Sequence, residues 1–213
     1  MTEAGKTSLT AIVAGATGLV GQEIVRQLSA SPRYSKIIIL VRRDTNLTAL
    51  PKVVAQPFPG SDEILKADEV YCCLGTTIKK AGSREAFRHV DYELVMQLAR
   101  CAKKGSVPRM AVVTAIGTSL SSPFFYSRVK AEVERDLKAM KFPQLDIYQP
   151  SLLLGDRTEF RLGEKIGELF AKALDPLLIG SFRMYAAIEA RELAKHMIEQ
   201  TNSPRLSFFE AKA

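Results

Sequence analysis

Residues 10–21 read Thr-Ala-Ile-Val-Ala-Gly-Ala-Thr-Gly-Leu-Val-Gly, and no other stretch limits the fold so strongly. A short apolar run ends at Gly15, Gly18 and Gly21 follow at three-residue spacing, and an amphipathic stretch begins. Strand, glycine turn, helix is the order that a nucleotide pyrophosphate needs. Glycines let the backbone turn sharply and come close to phosphates, and the new helix offers free N–H groups and the positive end of its dipole. Glycines also end strands for purely local reasons. The correct context on both sides favours dinucleotide binding over an ordinary turn.

The chain has 213 residues, enough for one large domain with a sizeable core. No apolar run approaches the length of a membrane span, so no membrane partner is expected. Residues Met1 to Ser8 are polar and carry no signal-peptide core, and the expected location is the cytoplasm. Three cysteines, two of them adjacent at Cys72 and Cys73, suit neither a disulfide framework nor a zinc site. Both lie in an apolar run and read as buried strand residues. With only His89 and His196, a histidine-built metal centre is not expected. The net charge is +7. Its basic residues are interleaved with acids, as in Lys130-Ala-Glu-Val-Glu-Arg-Asp-Leu-Lys138, the pattern of a solvated helix face. No basic run carries interleaved aromatics, so nucleic acid is not an expected partner.

Strand-like and helix-like segments alternate. Strands are predicted at 10–15, 36–41, 53–55, 69–74, 109–114 and 145–154. Helices are predicted at 18–30, 83–104 and 123–140, the last with Ser122 as N-cap and Pro123 at its first position. Near-continuous apolar strands separated by helices imply an α/β fold: a doubly wound, mostly parallel sheet covered on both faces. Ligands sit beyond the carboxyl ends of such strands, a rim holding Gly15, Arg42, Gly75, Thr114 and Ser151. The whole chain, 1–213, reads as one domain. Residues 156–213, with helices at 163–174 and 188–200 and a last strand at 206–209, form its lid, edge and small cap. A homodimer or a protein partner is compatible with this architecture.

The second strand bears on the choice of cofactor. An NAD binder usually ends that strand in an acid that holds the ribose hydroxyls. Here it ends Leu40-Val41-Arg42-Arg43, and guanidinium groups match a 2′-phosphate in shape and charge. NADP(H) is favoured over NAD(H), although Asp44 could pair with either arginine.

Tyr126 and Lys130 stand four apart on a predicted helix and so share a face. An ammonium near a phenol favours the phenolate and brings it toward neutral working range. The alternative is an aromatic packed beside a surface lysine. Gly15-Ala-Thr-Gly18-Leu-Val-Gly21 with Tyr126-x-x-x-Lys130 resembles the short-chain dehydrogenase/reductases, with the glycine spacing of the extended and atypical branches. Further stretches resemble the Tat-interacting tumour-suppressor family of atypical reductases. They are Cys72-Cys-Leu-Gly-Thr-Thr77, Lys80-Ala-Gly-Ser83, Val90-Asp91, Phe124-Phe-Tyr-Ser-Arg-Val-Lys-Ala-Glu132, and Pro150-Ser-Leu-Leu-Leu-Gly155 through Glu164.

That resemblance implies a Rossmann fold binding NADP(H). Gly15, Thr17, Gly18, Leu19, Val20 and Gly21 would line the pyrophosphate, and Arg42 and Arg43 would meet the 2′-phosphate. Leu74, Gly75 and Thr76 would flank the riboses, and Pro150, Ser151 and Leu152 would lie near the nicotinamide. Tyr126 would be the acid and Lys130 its partner, both also touching the cofactor. The superfamily's carbonyl-orienting serine falls at Thr114, with Thr118 and Ser119 as fallback donors. Asp91 stands where the extended branch often has asparagine, and His89 reads as a helix-surface residue. Arg157, Glu159 and Arg161 suit bracing of a lid by ion pairs better than an anionic substrate tail. The implied activity is hydride transfer to or from a small carbonyl. The alternatives are a non-catalytic NADP(H)-binding interaction protein, or an epimerase or dehydratase that retains its nicotinamide.

Overall fold

Successive strand residues point to opposite sides of a sheet, and this chain makes both sides apolar. The computed structural model describes residues 8–151, 153–154, 187–200 and 206–212. Its strands are β1 (Leu9–Ala14), β2 (Tyr34–Leu40), β3 (Val53–Gln56), β4 (Glu69–Cys72), β5 (Arg109–Val113), β6 (Gln144–Pro150), β7 (Leu153–Leu154), β8 (Ile188–Glu189) and β9 (Leu206–Lys212). Ala11, Val13, Ile37, Ile39, Tyr71 and Ala111 face one layer, and Ile12, Ala14, Ile38, Leu40, Cys72 and Val112 face the other. The sheet order is β3-β2-β1-β4-β5-β6-β9. The first six strands run parallel, and β9 lies antiparallel on β6. The expected doubly wound, mostly parallel sheet has formed. Strand order reverses between β1 and β4, where such sheets open a crevice for ligands.

Helix α1 (Leu19–Ala30) buries Val20, Ile24, Val25 and Leu28 on the first layer. Each large aliphatic side chain sealed there contributes about 1.5–3 kcal/mol. Predicted helix 83–104 is helical from Arg84 to Lys104, but in three segments and with a short helix before it. The short helices α2 (Ile78–Ala81) and α3 (Arg84–Arg88) come first, divided by Gly82 at φ 88°. A wide π turn follows over His89–Glu93, and α4 (Leu94–Lys104) completes the run. The π turn carries Asp91 inward to full burial. Helix α5 (Phe125–Ala139) starts two residues later than expected. Ser122 does not cap it: its Oγ accepts the Phe124 N–H at 3.2 Å, and Phe124 itself is extended. Helix α6 (Ala190–Glu199) lies beside α1 on the first layer, and Gln27 Nε2 donates to the Arg191 carbonyl at 3.0 Å.

Strand 145–154 breaks after Pro150, and its last two residues pair with β8 instead. Strand β9 extends the expected 206–209 to Lys212. The predicted helix 163–174, the loop at Gly155, Leu152 and the Arg157, Glu159, Arg161 cluster all lie outside the described residues.

The amino ends of the strands hold a buried charged knot that the sequence did not announce. Arg109 donates to Asp146 Oδ2 (2.7 Å), to Tyr71 Oη (3.1 Å) and to the Met197 carbonyl of α6 (2.6 Å). Tyr34 and Tyr71 both donate to Glu69 Oε2, at 2.6 and 2.5 Å. Burial, reinforced by Glu69, pushes the Tyr34 phenol up to about 12. This knot fixes α6 to the sheet at the end opposite the carboxyl rim of the strands.

Candidate functional site

The three glycines divide the work of the first turn. Gly15 adopts φ 76°, and a Cβ there would stand 2.4 Å from the Cys73 carbonyl oxygen. A Cβ on Gly21 would stand 2.2 Å from the Gly15 oxygen. These two positions let β1, β4 and α1 come together. Gly18 differs, since its Cβ would meet only the Gly15 oxygen at 3.3 Å. Its missing side chain therefore leaves open space in front of the helix. No side chain caps α1 and no acid stands in its first turn. A helix terminus left in this state is suited to an anion. Thr17 and Gly18 are exposed and Leu19 is half-buried. Val20 sends its side chain into the core, so only its backbone can face a ligand.

Ala14 pairs with Leu40, so β2 ends on the same rim. Arg42 and Arg43 follow it and are exposed. Among the described residues neither forms an ion pair, with Asp44 or any other acid.

After β4 the chain passes through Leu74, Gly75 and Thr76 at the mouth of the crevice. The Thr76 N–H donates to Asp91 Oδ2 at 2.8 Å. Asp91 Oδ1 lies 2.8 Å from Lys130 Nζ, with both side chains buried. A Cβ on Gly75 would stand 3.5 Å from Asp91 Oδ1 and 3.7 Å from Lys130 Nζ. Asp91 is thus a central member of the site. The sequence offered only a weak signal for it, an acid at an inward position of an otherwise apolar helical stripe.

Tyr126 is 38% exposed, and its ring packs 5.6 Å from that of Phe87. It shares one face of α5 with Lys130 and Glu134, at four-residue intervals. Burial works against the Lys130 charge, but Asp91 outweighs it and keeps the ammonium protonated beyond its usual range. The expected lowering of the Tyr126 phenol is not found. Burial pushes it up, Lys130 pulls it down, and Asp91 offsets part of that pull. The Lys130–Lys138 segment is also not a simple solvated face, because Lys130 and Glu134 are buried.

Thr114 ends up engaged elsewhere. Its hydroxyl donates to Glu134 Oε1 at 2.6 Å. Thr118 donates to Glu134 Oε2 at 3.2 Å, and Gln149 Nε2 donates to both carboxylate oxygens at 2.9 Å. The Ser119 hydroxyl is shared with Ser121 at 3.0 Å. Sequence reasoning missed Glu134, whose three partners come from distant segments. Pro150 is buried and Ser151 half-buried at the end of β6. Burial pushes the Cys72 thiol up to about 11 and raises that of Cys73. His89 is bonded to Glu93 at 2.8 Å on an exposed surface. Among the described residues no cluster of side chains could hold a metal ion, and no helix is long and apolar enough to cross a membrane.

The HIM1 family model matches residues 46–175. The chain is 30% identical to Protein FMP52-1, mitochondrial, of Scheffersomyces stipitis, over 96% of each chain. It is 29% identical to Protein HTATIP2 of Rattus norvegicus, over 94% of this chain and 86% of that one. In fold it is similar to the human epimerase family protein SDR39U1 solved with NADPH, with TM-score 0.60 and 15% identity over 92% of this chain and 71% of that one. It is also similar to a putative NAD-dependent epimerase/dehydratase from Bacillus halodurans, with TM-score 0.64 and 15% identity over 96% and 95%. The cytoplasmic expectation is overturned, since the Scheffersomyces stipitis relative is named a mitochondrial protein. The polar start of the chain spoke only against a secretory signal. Mitochondrial targeting segments are amphipathic and lack an apolar core, so that test was blind to them.

Proposed function

The chain belongs to the HIM1 family, and from that premise we propose that it is an NADP(H)-dependent oxidoreductase of the atypical short-chain type. The observation that carries this reading is the first turn. An uncapped α1 terminus opens beside Gly18, one strand away from two arginines that have no acidic partner among the described residues. The backbone of Gly15, Thr17, Gly18, Leu19, Val20 and Gly21 would hold the pyrophosphate. Arg42 and Arg43 would hold the 2′-phosphate, and Leu74, Gly75 and Thr76 the riboses. Pro150, Ser151 and Leu152 would border the nicotinamide, which when bound supplies or accepts hydride. Tyr126 would exchange a proton with the carbonyl oxygen, Lys130 would steady the phenol and the nearby ribose, and Thr114 would stand behind them.

Calorimetry with NADPH and NADH tests the binding. NADPH is expected to bind more tightly, and Arg42→Ala with Arg43→Ala should narrow the gap about tenfold or more. Absence of heat with either nucleotide, on folded protein, rejects the reading. Turnover of carbonyl compounds that survives Tyr126→Phe unchanged removes the proposed acid.

A second reading, a non-catalytic NADP(H)-binding interaction protein, draws support from Thr114. Its hydroxyl is bonded to Glu134, so the usual carbonyl-orienting donor is already engaged. NADPH binding without turnover on any aldehyde, ketone or quinone, together with partner capture that varies with nucleotide, would favour it.

A further inference from the structure

Lys130 is not a free cation. Its ammonium nitrogen lies 2.8 Å from Asp91 Oδ1, and both side chains are buried. Asp91 is itself fixed by the Thr76 N–H on its other oxygen. Wherever the proton rests between nitrogen and oxygen, the net charge of the pair is zero. The other titratable neighbour of the pair is the Cys72 thiol on β4, kept neutral by its burial. The remaining contact described for the Tyr126 ring is apolar, on Phe87 of α3. A phenol on this helix face therefore meets a compensated pair where an unpaired ammonium would otherwise act.

We propose that Asp91 is a positioning residue that, acting through Lys130, keeps Tyr126 protonated and makes the site a proton donor serving carbonyl reduction. The inference rests on the dinucleotide-dependent reading above and names the protonation state in which the site waits. In the reductive step the carbonyl carbon gains a hydride from the reduced dinucleotide. The carbonyl π pair takes the Tyr126 proton, and the phenolate left behind recovers a proton from water. Alcohol oxidation needs the phenolate at the outset, which burial disfavours. The electrostatics agree, since burial raises the phenol and Asp91 blunts the opposing effect of Lys130.

The test needs no substrate. Carbon-13 labelling of tyrosine ring carbons allows each phenol to be titrated by NMR in the free protein, with the Tyr126 signal identified by its loss in Tyr126→Phe. In the wild type, Tyr126 should ionise above the ordinary tyrosine value. In Asp91→Asn the ammonium is no longer compensated, and Tyr126 should ionise about one to two pH units lower than in the wild type. A merely structural role for Asp91 would leave that titration in place. If Tyr126 ionises at or below the ordinary value in the wild type, the proposal is overturned even where Asp91→Asn does not fold. An unmoved titration in a folded Asp91→Asn variant overturns it equally. Loss of the dinucleotide reading would appear in calorimetry instead, so the two failures remain distinct.

Discussion

Lys130 Nζ and Asp91 Oδ1 stand 2.8 Å apart between α5 and the wide turn that precedes α4, and both side chains are buried. Their mutual dependence sets the energetics of the site. Removing one partner leaves the other charged and buried, at a cost of about 3–5 kcal/mol. Lys130→Met should therefore destabilise the protein by about that amount, while Lys130→Met combined with Asp91→Leu should recover much of it. Urea denaturation midpoints of the two variants decide the matter, and additive losses would contradict the pairing.

The glycine turn makes a graded prediction. Gly21→Ala drives a Cβ to 2.2 Å from the Gly15 oxygen and should lower the melting temperature sharply. Gly18→Ala meets only one atom, at 3.3 Å, and should change stability by no more than about 1 kcal/mol. It should nevertheless weaken NADPH binding about tenfold or more, because the added methyl stands where the pyrophosphate would approach. Thermal melts and calorimetry on both variants separate scaffold from site.

Arg109 predicts a purely structural loss. Arg109→Met strands Asp146 and Glu69 in the interior and frees the Met197 carbonyl. The expected cost is about 3–5 kcal/mol, with increased hydrogen exchange across α6. Since the knot sits at the amino ends of the strands, the folded fraction should bind NADPH normally.

Alkaline pH should weaken the fold. The phenols of Tyr34, Tyr71 and Tyr126 and the ammonium of Lys130 all hold their protons more tightly when folded. The stability they contribute is complete below their unfolded values and is lost as pH rises through the folded ones. For Tyr34 that window runs from its ordinary value of 10.0 to about 12. Denaturation midpoints followed across this range should fall, and Tyr34→Phe should flatten the decline.

The sheet was legible in the sequence because buried parallel strands are apolar on both faces, and such runs stand out at any register. The glycine turn was legible because Gly15 and Gly21 answer to backbone contacts that no other residue allows. What escaped was of another kind. The wide turn at His89–Glu93 shifts a helix by a fraction of a turn, which apolar spacing does not resolve. Glu134 hid in a charge-rich segment, because the hydroxyls and amide that bury it come from Thr114, Thr118 and Gln149. Ser122-Pro123 carried the letters of a helix start, yet a local turn claimed the serine first.

Tyr126, Lys130 and Glu134 form a column on α5, each linked to a different part of the molecule: the ring of Phe87, the carboxylate of Asp91 and the hydroxyls of the 114–118 loop. A column of this kind records distance in whole turns. Inserting or deleting one residue between Tyr126 and Glu134 would swing its two halves apart by about 100°, severing at least one link whatever residue was chosen. In this segment length is held more strictly than identity, and α5 can change its outward letters freely only while its count stays the same.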